Sequence, residues 1–181
     1  MMYTDYPNYW YVLFVLTGKE HEAERDLRRT FEKEEISPFL PTVEKYIKTS
    51  SGAHKENHLM FPGYVFVETE LEGAVFRNRS SDVIRKSKHI MKLLANGSED
   101  SMAVTDAERK ALSELWQDER KIDVSEGFIE GDKVIIIAGP LKGHESDIKK
   151  IDRHHRTAIV EVELLGRACP LTVGLDIVRK V

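Results

Sequence analysis

Phe61-Pro62-Gly63-Tyr64-Val65-Phe66-Val67-Glu68 is the stretch that decides the fold. Pro62-Gly63 is a sharp turn signal, because proline presets φ and glycine accepts the positive φ that tight turns need. Tyr64–Glu68 is dense in aromatic and β-branched residues, so it reads as a strand entered directly from the turn. Side chains alternate across a strand, which puts Tyr64 and Phe66 on one face. Upstream, Tyr9–Leu16 is aromatic and β-branched with both faces apolar, the pattern of a central strand. Thr17-Gly18 ends it. A helix is expected over about Lys19–Lys33, with Ala23, Leu27, Thr30 and Phe31 on one face. A long apolar strand followed by an amphipathic helix opens an α/β or α+β sandwich.

Between these elements, Phe39–Lys48 is extended, Thr49–Ala53 is a polar turn, and His58–Phe61 leads back, so a hairpin is expected. Downstream, a short helix is expected over Leu71–Arg79 and a strand over Ile90–Ala95. Thr105-Asp106-Ala107-Glu108 is a capping box, and its helix should bury Ala111, Leu112, Leu115 and Trp116. Beyond about Lys121 the pattern changes. Lys121–Gly127 is acidic and aperiodic, and reads as a linker. Short strands are then expected at Lys133–Ala138, Asp147–Ile151, Ala158–Leu164, Cys169–Val173 and Ile177–Lys180. Five short strands in so few residues argue for a small barrel, since closure removes exposed edges.

Charge narrows the function classes. The 181 residues carry 27 Lys/Arg and 31 Asp/Glu. By segment, basic against acidic residues number 14 and 14 in 1–97, 4 and 9 in 98–127, and 9 and 8 in 128–181. A chain-wide basic footprint for nucleic acid is absent, so any such contact is local. The longest apolar stretch near the start, Trp10–Leu16, is too short to cross a bilayer. No basic-then-apolar leader precedes it, and the cytoplasm is the expected compartment. One cysteine, Cys169, gives neither an internal disulfide nor a zinc cluster. His154-His155, adjacent in a turn, do not make a preorganised metal pair. The carboxylate pairs Glu34-Glu35 and Glu99-Asp100 sit in polar stretches that cannot desolvate them for acid–base work. No phosphate-binding loop or nucleophile elbow is present. No enzyme activity, cofactor or membrane association is expected.

Three stretches, Trp10-Tyr11-Val12, Thr17-Gly18-Lys19-Glu20 and Phe61–Val67, resemble the N-terminal (NGN) domain of the NusG family of transcription elongation factors. Gly131-Asp132-Lys133-Val134, Gly139-Pro140-Leu141-Lys142-Gly143 and Gly166-Arg167-Ala168-Cys169-Pro170-Leu171 resemble the family's C-terminal KOW domain. The resemblance implies an α+β protein: an NGN α/β sandwich over 1–120, a linker at 121–127, and a five-stranded KOW β-barrel over 128–181. It further implies a monomer whose NGN domain binds the clamp helices of RNA polymerase and raises processivity. The KOW domain then recruits ribosomal protein, termination factor or RNA. Candidate polymerase contacts are Phe14, Phe61, Tyr64 and Phe66, with Arg77, Asn78 and Arg79 after the second strand.

The departures from the family pattern concern the recruiting half. Leu141 stands where these KOW domains usually carry an aromatic, Ser146 at a later glycine, and Leu165 at a second aromatic. That aromatic belongs to the surface that meets ribosomal protein and termination factor in the housekeeping factor. The resemblance therefore points to a specialised antiterminator, and to the LoaP branch rather than RfaH because the KOW segment is strand-patterned. Lys142, His144, Lys149, Lys150, Arg153, His154, His155 and Arg156 lie in or beside two turns, and Arg167 follows the last glycine. They are the candidates for contacting a nascent RNA hairpin, with lysine and arginine pairing to phosphates. The competing functions are the housekeeping elongation factor and a ribosome-associated KOW protein, the latter expected to be far more basic.

Overall fold

A computed structural model of the chain describes residues 8–97, 102–116 and 118–180; the Glu99-Asp100 pair lies outside them. The described residues fall into two units. One runs to Leu40 and resumes over Phe61–Arg109, and the other joins Pro41–Met60 to the chain from Lys110 onward.

In the first unit, strands β1 (Tyr9–Val15), β2 (Ser37–Phe39), β5 (Tyr64–Thr69) and β6 (Ile90–Leu93) form an antiparallel sheet in the order β2-β5-β1-β6. The register sets Val12 opposite Phe66 and Phe14 opposite Tyr64. Alternation then sends Tyr11, Leu13, Val15, Val65 and Val67 to one face. There they pack with Ala23 and Leu27 of α1 (Glu20–Thr30) and Phe76 and Val83 of α2 (Gly73–Lys86). Tyr11 and Phe76 stack with ring centroids 4.2 Å apart and planes 6° off parallel. The Tyr11 hydroxyl donates to the Leu71 carbonyl at 2.8 Å, and burial first of all pushes its pKa up to about 12. Helix α2 extends well past the expected Arg79.

Helix α3 (Asp106–Leu115) starts with the reciprocal bonds of its capping box. The Thr105 N–H donates to Glu108 Oε2 at 2.8 Å, and the Glu108 N–H donates to Thr105 Oγ1 at 3.2 Å. Leu112 and Leu115 are buried as the spacing implies, whereas Ala111 is exposed.

In the second unit, β3 (Thr42–Thr49) and β4 (Gly52–Leu59) form the expected hairpin, and β7 (Lys121–Ile122) adds in parallel to β3. Strands β8 (Ser125–Glu130), β9 (Lys133–Ala138), β10 (Ile148–Asp152), β11 (Thr157–Leu164) and β12 (Arg167–Lys180) make a sheet in the order β10-β11-β12-β8-β9. Among the described residues no ladder joins β9 to β10, so hydrogen bonding does not close the expected barrel. Two strand assignments differ from the sequence reading. Residues 121–127 carry β7 and the start of β8, because Ser125 and Gly127 are buried and a bulge between Glu126 and Gly127 fits the strand to β9. Cys169–Val173 and Ile177–Lys180 belong to one long strand, because β12 pairs with β11 along its first half and with β8 along its second. No helix among the described residues is long and apolar enough to cross a membrane.

Candidate functional site

The sheet face opposite α1 and α2 is aromatic. Trp10 and Phe39 meet edge-on with centroids 5.4 Å apart. Phe66 lies 5.4 Å from both Phe39 and Phe61, and Phe14 lies 5.9 Å from Tyr64. Burial divides this row. Trp10, Phe39, Phe61 and Phe66 are buried, with Phe66 at 0 % exposure, while Phe14 is 37 % exposed and Tyr64 half-buried. Of the four candidate polymerase aromatics, Phe14 and Tyr64 reach the surface, whereas Phe61 and Phe66 are buried against each other. Trp10 and Phe39 are not among the contacts expected from the sequence. The alternation Trp10-Val12-Phe14 along β1 is the signal that places Trp10 on this face.

The turn that delivers Tyr64 is fixed by a buried carboxylate. Glu20, in the first turn of α1, accepts the Gly63 N–H at 2.7 Å. Burial is the largest single influence on Glu20 and pushes its pKa up. The N–H groups of Glu20 itself, Gly63 and Gly18 together outweigh burial and hold the carboxyl below its ordinary value. Gly63 has φ +86°, and a Cβ there would sit 3.2 Å from Thr17 Oγ1, so this position needs glycine.

Arg77, Asn78 and Arg79 lie within α2, in the helix expected over Leu71–Arg79. Asn78 and Arg79 are exposed and Arg77 is half-buried. Arg79 is engaged: its Nε lies 2.5 Å from Glu35 Oε1, and its guanidinium stands 5.4 Å from the Phe31 ring centroid.

The nine candidate RNA contacts do not form one patch. Lys149 and Lys150 are exposed and line the seam between β9 and β10 together with Glu145 and Asp132. Arg153, His154, His155 and Arg156 occupy the β10–β11 turn, where Asp152 accepts the His155 backbone N–H at 3.0 Å and contacts its ring Nδ1 at 2.8 Å. These His155 contacts, the backbone one first, bring the Asp152 carboxyl down to about 2. Arg156 has φ +52° in a residue that is not glycine. His144 is half-buried and 3.1 Å from Asp147. Lys142 is exposed beside Gly139, whose φ is +96° and whose hydrogen side abuts Ser125 so closely that a Cβ would fall 2.6 Å from the Ser125 Cα. Arg167 sits at the other end of β11 from the β10–β11 turn, about 20 Å away at some 3.3 Å per residue. Leu141 and Leu165 are buried. Among the described residues no group of three or more His, Cys, Asp or Glu is placed to hold a metal.

The described residues thus comprise an α+β unit whose antiparallel sheet carries a part-exposed aromatic pair, and a β-rich unit with basic turns. The family model described as "Transcription termination factor nusG" matches residues 8–113. The chain is 25% identical over 179 residues to the "Transcription termination/antitermination protein NusG" of Thermus thermophilus, covering 94% of this chain and 97% of that one. It is 26% identical to the protein of the same description from Staphylococcus carnosus, covering 94% of each. A solved structure described as "Domain interaction in Thermotoga maritima NusG" is 24% identical, with a TM-score of 0.47 over 93% of this chain and 94% of that one. The chain belongs to the NusG family, whose members are transcription factors and not enzymes.

Proposed function

We propose that this chain is a specialised antiterminator of the LoaP type. It grips the clamp helices of RNA polymerase through Phe14 and Tyr64 and contacts nascent RNA through the turns of its C-terminal half. The observation that carries the polymerase contact is the division of the aromatic face. The Phe14–Tyr64 pair is open to a partner, while Phe61 and Phe66 are buried against each other, and an exposed aromatic pair suits a binding hot spot. The specialised assignment is supported by Leu141 and Leu165. Both are buried aliphatics at positions where the resemblance expects aromatic side chains to meet ribosomal protein or termination factor, and exposed Lys142, Lys149, Lys150 and Arg153 surround that region of sequence. The protein acts as a cytoplasmic monomer, with the polymerase contact on the first unit and the recruiting surface on the β-rich second unit.

The housekeeping elongation factor is the second reading, favoured by near-full-length likeness to proteins named for both termination and antitermination. Binding titrations separate the two. Neutralising Lys149, Lys150, Arg153 and Arg156 together should abolish binding to leader RNA from the adjacent operon and leave clamp-helix binding intact. Unchanged leader binding by that variant, together with binding of ribosomal protein around Leu164–Arg167, would establish the housekeeping role instead.

A further inference from the structure

A cleft of about 430 Å³ opens in the second unit between the β3–β4 hairpin and the β10–β11 turn. Lys45, Tyr46 and Lys48 of β3 line it together with His154, His155 and Arg156 of the turn. Among the described residues, none that lines it is acidic. Lys45 is half-buried, and burial alone pulls its ammonium below the ordinary lysine value. No carboxylate among the described residues pairs with Lys45 or Lys48, although Lys55 on the neighbouring strand has Glu44 at 3.1 Å. A partly desolvated cation without a counter-charge is a cost to the fold, and a bound anion removes it.

The opposite wall is preorganised. Arg156 holds the left-handed backbone conformation at φ +52°, which costs a non-glycine residue energy and fixes where its side chain leaves the turn. Its guanidinium lies 4.8 Å from the Tyr46 ring centroid, with Asp176 3.6 Å from Nε, and the Lys55 ammonium stands 5.8 Å from the same ring. The result is a positively charged groove with an aromatic wall, the combination that tracks single-stranded nucleic acid. Its volume is that of a small-molecule pocket, roughly 300–1,000 Å³, which admits a nucleotide and excludes a duplex.

We propose that this cleft holds the phosphate backbone of single-stranded RNA, such as the loop of a hairpin, so that the RNA site is built jointly by the β3–β4 hairpin and the β10–β11 turn. The proposal rests on the RNA reading of the turn and adds Lys45, Lys48 and Tyr46, residues far away in sequence.

The test is fluorescence anisotropy of the full-length chain with a short labelled oligouridylate across a series of salt concentrations. Each lost phosphate contact to a single strand flattens the slope of log affinity against log salt by about 0.7. Lys45→Gln with Lys48→Gln should therefore flatten it by about 1.4. If variant and wild type converge at high salt near 1 M, that slope difference is about a 25-fold loss near 0.1 M. Lys45→Arg with Lys48→Arg should restore binding. Lys149→Gln with Lys150→Gln, outside the cleft, reports on the underlying RNA reading. If Lys149→Gln/Lys150→Gln weakens binding while Lys45→Gln/Lys48→Gln melts and binds like wild type, RNA binds along β10 and the cleft is refuted. If neither pair weakens binding, the RNA reading falls and takes the cleft with it. Should the Lys45 variant melt early, exposed Lys48→Gln alone must still flatten the slope by about 0.7, and an unchanged slope overturns the proposal.

Discussion

Replacing Glu20 probes the joint between α1 and the turn that presents Tyr64. The Glu20 carboxylate and the Gly63 N–H are both buried, at 2.7 Å. A hydrogen bond to a charged group contributes about 1.5–3 kcal/mol and a neutral one about 0.5–1.5, so Glu20→Gln should cost about 1 kcal/mol at pH 7. Glu20→Ala leaves the Gly63 N–H buried without its acceptor and should cost about 2–3 kcal/mol. The pH dependence has a definite sign. The carboxyl is held below its ordinary value in the folded state, so its stabilisation is present above the unfolded value of about 4.3 and is lost as pH falls through the lower folded value. The gap between wild type and Glu20→Gln should therefore be full at pH 7 and close progressively at pH below about 4. Urea denaturation followed by circular dichroism, repeated down this pH range, measures it. An equal gap at neutral and strongly acid pH, or wild-type stability for Glu20→Ala, would refute the assignment.

The division of the aromatic face makes a paired prediction. Phe66→Ala should destabilise the protein by about 3–5 kcal/mol through a cavity, read as a lower urea midpoint. Tyr64→Ala should leave the midpoint nearly unchanged and weaken binding to a clamp-helix fragment by about 1–4 kcal/mol in a titration. Gly139→Ala should destabilise by at least about 1–3 kcal/mol, because the residue has φ +96° and its Cβ would meet the Ser125 Cα at 2.6 Å; wild-type melting would contradict that geometry. Residues 125–181 expressed alone should give a β-type circular dichroism spectrum, and a mainly helical one would overturn the strand assignments of β8–β12.

Much of the architecture is legible in local chemistry. The apolar runs of β1 and β5, the Pro62-Gly63 turn, the capping box at Thr105 and the hairpin of β3 and β4 each carry a signal confined to a few residues. What escaped depends on distant partners. Ser125-Glu126-Gly127 reads as linker because small and acidic residues look solvated, and only the bulge against β9 shows them as strand. The continuity of β12 follows from its two successive partners, which no window along the sequence contains. Alternation put Phe66 and Tyr64 on one face correctly but could not show that Phe39 and Phe61 crowd one and leave the other half-open. The basic residues looked like one cluster because they are close in sequence; the length of β11 separates Arg167 from the turn at Arg153–Arg156. Lys45-Tyr46-Ile47-Lys48 passed as an ordinary polar hairpin strand, although lysines interleaved with an aromatic are the pattern a nucleic-acid groove uses.

The most direct test of the account is transcription in vitro by purified RNA polymerase through a terminator, on templates with and without the leader of the adjacent operon. A specialised antiterminator raises read-through on the leader-bearing template only. The gain disappears with Tyr64→Ala, which releases polymerase, and separately with the variant neutralised at Lys149, Lys150, Arg153 and Arg156, which releases RNA. Equal read-through on both templates, or a leader-dependent gain that survives both variants, would contradict it.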